Sequence, residues 1–208
     1  MNELIFKILL FVILVVYGLI RVPFAKKCRN NKNIKSVHTL FEKINVFIAW
    51  LGMVFVPVLY SFTSILDTFH FNLPFYIRII ATLGLIMNCV FFHIIHKTLD
   101  DNWSPVLVIK DGQKLVKNGV YKYIRHPMYT QCWLWIILQG IVAANIFVEI
   151  FGIITWGFLY FTRVFAEEKM MIEQYGIEYE DYMKQTGRLL PKIYMSKHSR
   201  FEYFEQEY

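Results

Sequence analysis

The sequence predicts an all-α integral membrane protein of about five transmembrane helices, with a C-terminal helical hairpin and a polar cytoplasmic segment before it. Three observations carry this reading. Hydrophobic residues fill 56% of the 208 positions and aromatics 18%, with a mean hydropathy of +0.40, more apolar than a soluble domain of this length. The excess is gathered into runs close to the ~20 residues that cross a bilayer. Lys and Arg alternate between successive loops, as the positive-inside rule requires of a multi-pass chain.

The first apolar run extends from Leu4 to Ile20, broken by Lys7, whose stem can snorkel to the interface. Asn2 and Glu3 precede it and no small-residue cleavage site follows, so a retained span is expected rather than a signal peptide. Arg21, Lys26, Lys27, Arg29, Lys32 and Lys35 then form an expected basic loop. A second span is predicted over Ile44 to Phe62, with Pro57 expected to kink it. The connection that follows carries Asp67 and His70 but no Lys or Arg, and a third span runs from Phe75 to Ile95.

Lys97 to Arg125 is polar and rich in turn signals: Ser104-Pro105, Asp111-Gly112 and Asn118-Gly119. It is too long for a plain connection, which points to function. From Cys132 to Thr162 the only charge is Glu149. That length exceeds one span, and Ala144, Asn145 and Glu149 mark a reversal. A hairpin is predicted, one helix over Pro127 to Ala143 and another over Phe147 to Ala166, the latter continuing through the helix formers up to Gly176. The basic segments follow spans one and three, so the N-terminus is expected outside and the C-terminus, with a loose tail from Met195 to Tyr208, in the cytoplasm. The chain thus divides into three N-terminal transmembrane helices (1–97) and a core (98–208).

Several function classes are disfavoured. The formal charge is +6, but the basic residues flank apolar runs and form no separate basic domain, which fits cytoplasmic loops rather than nucleic acid. Cys28, Cys89 and Cys132 make no CxxC pair, so neither a disulfide framework nor a metal site is expected. There is no G-x-G-x-x-G, G-x-S-x-G or Walker loop. His93 and His96 form a lone H-x-x-H among only six histidines, too few for a di-iron site, and a structural or interfacial role is expected.

Two clusters can carry chemistry. In the stretch from Gln113 to Tyr129, Asn118-Gly119 supplies a turn and Pro127 suits a first helical position. Arg125 and His126 then sit at a helix N-terminus, where free N–H groups and the positive dipole end attract an anion. The same residues also read as an interfacial anchor at headgroup level. The second cluster is Arg163, Glu167 and Glu168, at the far end of the hairpin and back at the same membrane surface. Arg163 and Glu167 are spaced i, i+4 and share a helix face. A helix-end ion pair is the plainer alternative.

Taken together, the clusters resemble the isoprenylcysteine carboxyl methyltransferase family, of the short prokaryotic type. The matching pattern is Leu115-Val116, Gly119-Val120-Tyr121 and Arg125-His126-Pro127-Met128-Tyr129, then Arg163, Glu167-Glu168, Tyr175-Gly176-Ile177-Glu178-Tyr179, Tyr182 and Leu190-Pro191. It covers residues 103–192. The resemblance implies S-adenosyl-L-methionine as cofactor, lined by Gln113, Lys114, Leu115, Val116 and Tyr121 and by His126, Pro127, Met128 and Tyr129. Glu167 would hold a polar group of the cofactor. Arg163 would face the acceptor and orient its carboxylate; for an amine or thiol acceptor, Glu168 or a tyrosine becomes the candidate base. The implied partners are the lipid bilayer and a lipophilic or lipidated acceptor. A phospholipid amine or a small thiol remains open as acceptor, because related membrane enzymes share this core. A non-enzymatic channel or scaffold would instead line a pore face with polar residues, whereas here they gather at one surface.

Overall fold

The computed structural model describes residues 2–29, 33–36, 40–104, 108–110 and 113–192. Five helical rods account for most of them. Helix α1 spans Asn2–Arg29. Helix α2 (Leu40–Trp50) runs through a π-helical turn (Leu51–Phe55) into α3 (Val56–Phe62). Helix α4 spans Phe75–Leu99, α5 Pro127–Ala143 and α6 Ile146–Tyr175, and a short α7 follows at Ile177–Gln185. Strands β1 (Asn33–Ser36) and β2 (Val108–Lys110) pair antiparallel, with Ser36 opposite Val108 and a register irregularity between Asn33 and Lys35. This small ribbon was not foreseen from the sequence.

Four of these rods are long and apolar enough to cross a membrane: Glu3–Cys28, Leu40–Phe62, Phe75–Leu99 and Ile146–Tyr175. Helix α5, at 17 residues, spans about 25 Å at 1.5 Å per residue and is the buried member of the bundle. It packs between α4 and α6 and also meets α1 and α3. Gln131, Trp135, Ile136 and Gln139 are all fully buried, while Leu134 and Ile137 keep an exposed apolar edge. Leu4, Leu19, Leu83, Met87 and Phe161 lie exposed on the outer surface, the apolar belt that a bilayer covers.

Polar contacts join the rods. Gln131 Nε2 donates to Asn88 Oδ1 at 2.5 Å and Asn88 Nδ2 returns a bond to the Gln131 carbonyl at 3.1 Å, a form of interhelical glue within apolar surroundings. Pro57 lacks an N–H and cannot satisfy the helix behind it. The π-helical turn lies immediately before it, and Gln139 Nε2 donates to the Gly52 carbonyl at 3.2 Å, re-satisfying backbone that the proline disrupts. Gly52 is required here, since a Cβ would fall 2.0 Å from Thr155 Oγ1 on α6.

The hairpin reverses where expected. Ala144 adopts a left-handed φ of 47°, and the Asn145 side chain caps α6 by accepting from the Val148 N–H at 3.1 Å. The basic segment after the first span differs from expectation. Residues 21–29 continue α1 as helix through Pro23, extending the rod so that Lys27 bonds Asp100 at 2.6 Å and Arg21 sits 5.4 Å from the Trp103 ring. Lys7 does snorkel, reaching the Thr63 carbonyl and the Asp67 carboxylate at 2.9 and 2.8 Å. The Asn118-Gly119 turn holds, with Gly119 at φ +56°. Pro105, Asp111, Gly112 and the tail from Met195 lie outside the described residues.

Candidate active site

The two clusters meet because the hairpin folds the C-terminal half of α6 back beside the start of α5. His126 is the N-cap residue of α5 and Pro127 its first helical position. The first intrahelical bond runs from the Thr130 N–H to the His126 carbonyl at 3.2 Å, so the earlier N–H groups of that turn point out of the helix end.

A second strand of chain holds this helix start in place. Arg125 and His126 donate their N–H groups to the carbonyls of Gly187 and Arg188 at 2.9 and 3.1 Å, and Gly187 donates to Tyr123 at 3.2 Å. Thr130 Oγ1 donates to the Leu189 carbonyl at 2.7 Å. Helix α7 braces the preceding segment, with Tyr182 Oη donating to the Tyr121 carbonyl at 2.6 Å and Tyr175 Oη, at the end of α6, to the Gln113 carbonyl at 3.1 Å. Burial pushes the phenols of Tyr121 and Tyr182 above their ordinary values, so both stay neutral.

Glu167 and Glu168 are neighbours on α6, and the ~100° turn per residue sends them to different places. Glu167 Oε2 accepts from Tyr129 Oη at 2.5 Å and its other oxygen lies 3.8 Å from His126 Nδ1. Glu168 is buried and accepts from Arg125 Nε (2.7 Å), Arg188 Nε (3.0 Å), Arg188 Nη2 (2.6 Å) and His126 Nε2 (3.3 Å). Arg125 Nη1 goes on to the Thr186 carbonyl at 2.8 Å. One carboxylate thus ties the RHP segment, α6 and the chain after α7 together. A buried carboxylate needs such charge-assisted bonds to offset its desolvation.

Between α1, α2, α4, α5 and α6 lies a cavity of about 560 Å³, within the ~300–1,000 Å³ of pockets that hold small molecules. Of the predicted segment before the turn, Gln113, Lys114, Leu115, Val116 and Tyr121 all line it. From the RHP segment come His126, Met128 and Tyr129, and from α6 Arg163 and Glu167. Pro127 and Glu168 are not among the described lining residues. Pro127 shapes the helix start, and Glu168 is bonded to the arginines beside it.

The cavity is two-natured. It reaches from the polar residues above down α1 and α2 to Leu14, Val46, Ala49 and Met53. His96 Nε2 and Trp156 Nε1 are buried polar atoms on its walls with no partner among the described residues. Such atoms on a cavity wall are satisfied by a polar ligand or by water. The residues therefore fit a small molecule with several polar groups next to an apolar one.

The sequence did not reveal what α1 and α2 add. Glu42 of α2 is buried and its Oε1 lies 3.5 Å from Arg163 Nη1. Asn45, one turn on, donates to Thr162 Oγ1 at 3.2 Å. Residue 42 follows a basic stretch at the start of a span, and one acid there is indistinguishable by pattern from an ordinary helix N-terminal charge. Arg125, expected with His126 at the helix start, also lines the cavity while holding Glu168.

The model of the isoprenylcysteine carboxyl methyltransferase (ICMT) family matches residues 69–173. The chain belongs to the ICMT family. Relatives named protein-S-isoprenylcysteine O-methyltransferase are also similar to this chain. The one from Dictyostelium discoideum is 34% identical over 86 residues, covering 41% of this chain and 36% of its own. That from Tribolium castaneum is 27% identical over 135 residues, covering 62% and 47%. That from Saccharomyces cerevisiae is 36% identical over 80 residues, covering 38% and 33%. The chain therefore spans less than half the length of these curated relatives. A solved structure of a eukaryotic intramembrane Ras methyltransferase, ICMT, superposes with a TM-score of 0.51 at 24% identity, covering 75% of this chain and 54% of that one; the likeness is one of fold. The ICMT match contains the RHP segment, the hairpin, Arg163 and both glutamates, whereas Glu42 lies outside it.

Proposed function

We propose that this ICMT-family chain is an S-adenosyl-L-methionine-dependent carboxyl O-methyltransferase acting on a lipophilic, isoprenylcysteine-like acceptor. The observation that carries it is the gathering of Gln113–Val116, Tyr121, His126, Met128, Tyr129, Arg163 and Glu167 on one cavity, from segments separated by the whole hairpin. When bound, S-adenosylmethionine supplies an electrophilic methyl on a sulfonium, and its transfer to a carboxylate oxygen forms a C–O bond, breaks the C–S bond and leaves a neutral thioether.

The protein's task is then alignment rather than proton transfer. A carboxylate is ionised at neutral pH and needs no base, consistent with a Glu168 engaged on all sides. Arg163, held from behind by Glu42, offers N–H donors in a fork that fits a carboxylate. Glu167, itself fixed by Tyr129, takes a donor group of the cofactor. The helix start at His126 receives the cofactor's carboxylate. The apolar reach along Leu14, Val46 and Met53 receives the lipid part of the acceptor from the side of the bilayer. Residues 1–97 then contribute that lipid-facing wall and 98–208 the cofactor site.

The basic segments support a cytoplasmic position for this end of the bundle, with the N-terminus outside. An acceptor amine or thiol would require a base, and among the described wall residues the carboxylate, Glu167, is already bonded to Tyr129. Incubating membranes that contain the protein with methyl-labelled cofactor and an isoprenylcysteine acceptor should yield a product whose label is released by mild base. Label that survives base treatment would mark N- or S-methylation and overturn the carboxyl assignment.

A further inference from the structure

His96, on the last turn of α4, has no part in the chemistry above. Its ring is fully buried and packed by Phe92, Trp103 and Phe24, with centroids at 4.2, 4.7 and 4.8 Å. Nδ1 lies 3.0 Å from the Phe92 carbonyl. A carbonyl can only accept, so Nδ1 carries the proton and Nε2 of the neutral ring is left as an acceptor. That atom has no partner among the described residues, and His96 lines the cavity. A fully buried acceptor left unmatched costs more than an exposed one, and natural cores avoid it unless a ligand or water completes it.

We propose that His96 reads the nucleobase of the methyl donor, its Nε2 accepting a hydrogen bond from the exocyclic amino group of adenine. The proposal rests on the S-adenosylmethionine reading above and adds a residue on α4 that recognises the base. The occupant must present an N–H or O–H donor on a flat apolar body, because Phe92 and Trp103, which pack the imidazole, also line the cavity. An aminopurine edge has both features. The position also agrees: Thr98, two residues on, lies against Gly119, where a Cβ would sit 3.3 Å from its side chain. The end of α4 is thereby fixed beside the turn that leads from Gln113–Val116 to Tyr121. An amide N–H of the acceptor is the other source of such a donor, and the experiment separates the two.

Binding of S-adenosylhomocysteine and S-inosylhomocysteine to the full-length detergent-solubilised protein is compared by calorimetry. The second ligand replaces the amino group with a carbonyl and sets an acceptor against an acceptor. The wild type is expected to bind it at least about tenfold more weakly. In His96→Phe the adenosyl ligand weakens by a similar factor and the difference between the ligands collapses. Equal affinities in the wild type overturn the proposal while leaving the cofactor reading intact. Equal affinities together with a raised acceptor KM in His96→Phe would assign the donor to the acceptor's amide and equally overturn it. If neither ligand binds, the cofactor reading falls and this proposal with it. The wild-type comparison decides the matter even if His96→Phe does not fold.

Discussion

Arg163→Met is expected to lower methyl transfer at least about 100-fold, or ~2.7 kcal/mol of transition-state stabilisation, while leaving cofactor affinity nearly unchanged. Arg163 sits on the cavity wall, its side chain 12% exposed, with Glu42 behind it. Methionine preserves much of the stem's volume and removes the forked donors that align a carboxylate. The loss should fall on turnover and acceptor KM, since the proposed cofactor contacts come from Glu167, Tyr129 and the turn segment. Glu42→Gln should produce the weaker version of the same defect: the arginine stays but loses its fixed partner, so acceptor KM rises more than turnover falls. Steady-state kinetics with S-adenosylhomocysteine binding as control distinguish the two. Loss of cofactor binding in Arg163→Met would show that the arginine serves the cofactor instead.

Glu168→Ala should be the most damaging single change to stability. It leaves Arg125, Arg188 and His126 facing one another without the carboxylate that all three share. Breaking one side of a buried ion pair costs about 3–5 kcal/mol, and here more than one cation is orphaned. The segment 186–190 is zipped to 123–130 by backbone bonds that depend on the same hub. Thermal unfolding in detergent should therefore drop by several degrees, and cofactor affinity should fall with it. Glu168→Gln keeps two acceptor lone pairs without the charge and should lie between. A Glu168→Gln protein with wild-type stability but no methyl transfer would instead restore the residue to a role in proton transfer.

The fold was legible in the sequence to an unusual degree because a bilayer constrains the chain more than water does. Five apolar rods, the reversal at Ala144–Asn145 and the continuation of the last rod past Glu167 all follow from run length and breakers. What escaped notice is informative in the same terms. Residues 21–29 looked like a loop because they are basic, yet Lys, Arg and Ala favour helix and α1 continues through them as one rod. The ribbon of Asn33–Ser36 with Val108–Lys110 is four and three residues long and carries no alternation to read.

The site was legible where side chains cluster in sequence and illegible where they meet only in space. Gln113–Val116, Tyr121, His126, Met128, Tyr129 and Glu167 were expected together and line one cavity. Glu42, His96 and Trp103 come from three other stretches of chain, and no spacing rule links them to Arg163 or Tyr121. Glu168 illustrates the converse. It stands beside Glu167 in sequence, but a helix sends neighbours to different faces, one to the cavity and the other to the arginines.

The central claim is that the turn segment and the end of the hairpin close around one nucleoside thioether. It is tested most directly by titrating S-adenosylhomocysteine into the solubilised protein and into His126→Ala, with insertion and melting followed in parallel. Saturable one-to-one binding to the wild type, lost in a variant that still inserts and melts cooperatively, is the predicted result. Unchanged affinity in His126→Ala, or no binding to a folded wild type, would contradict it.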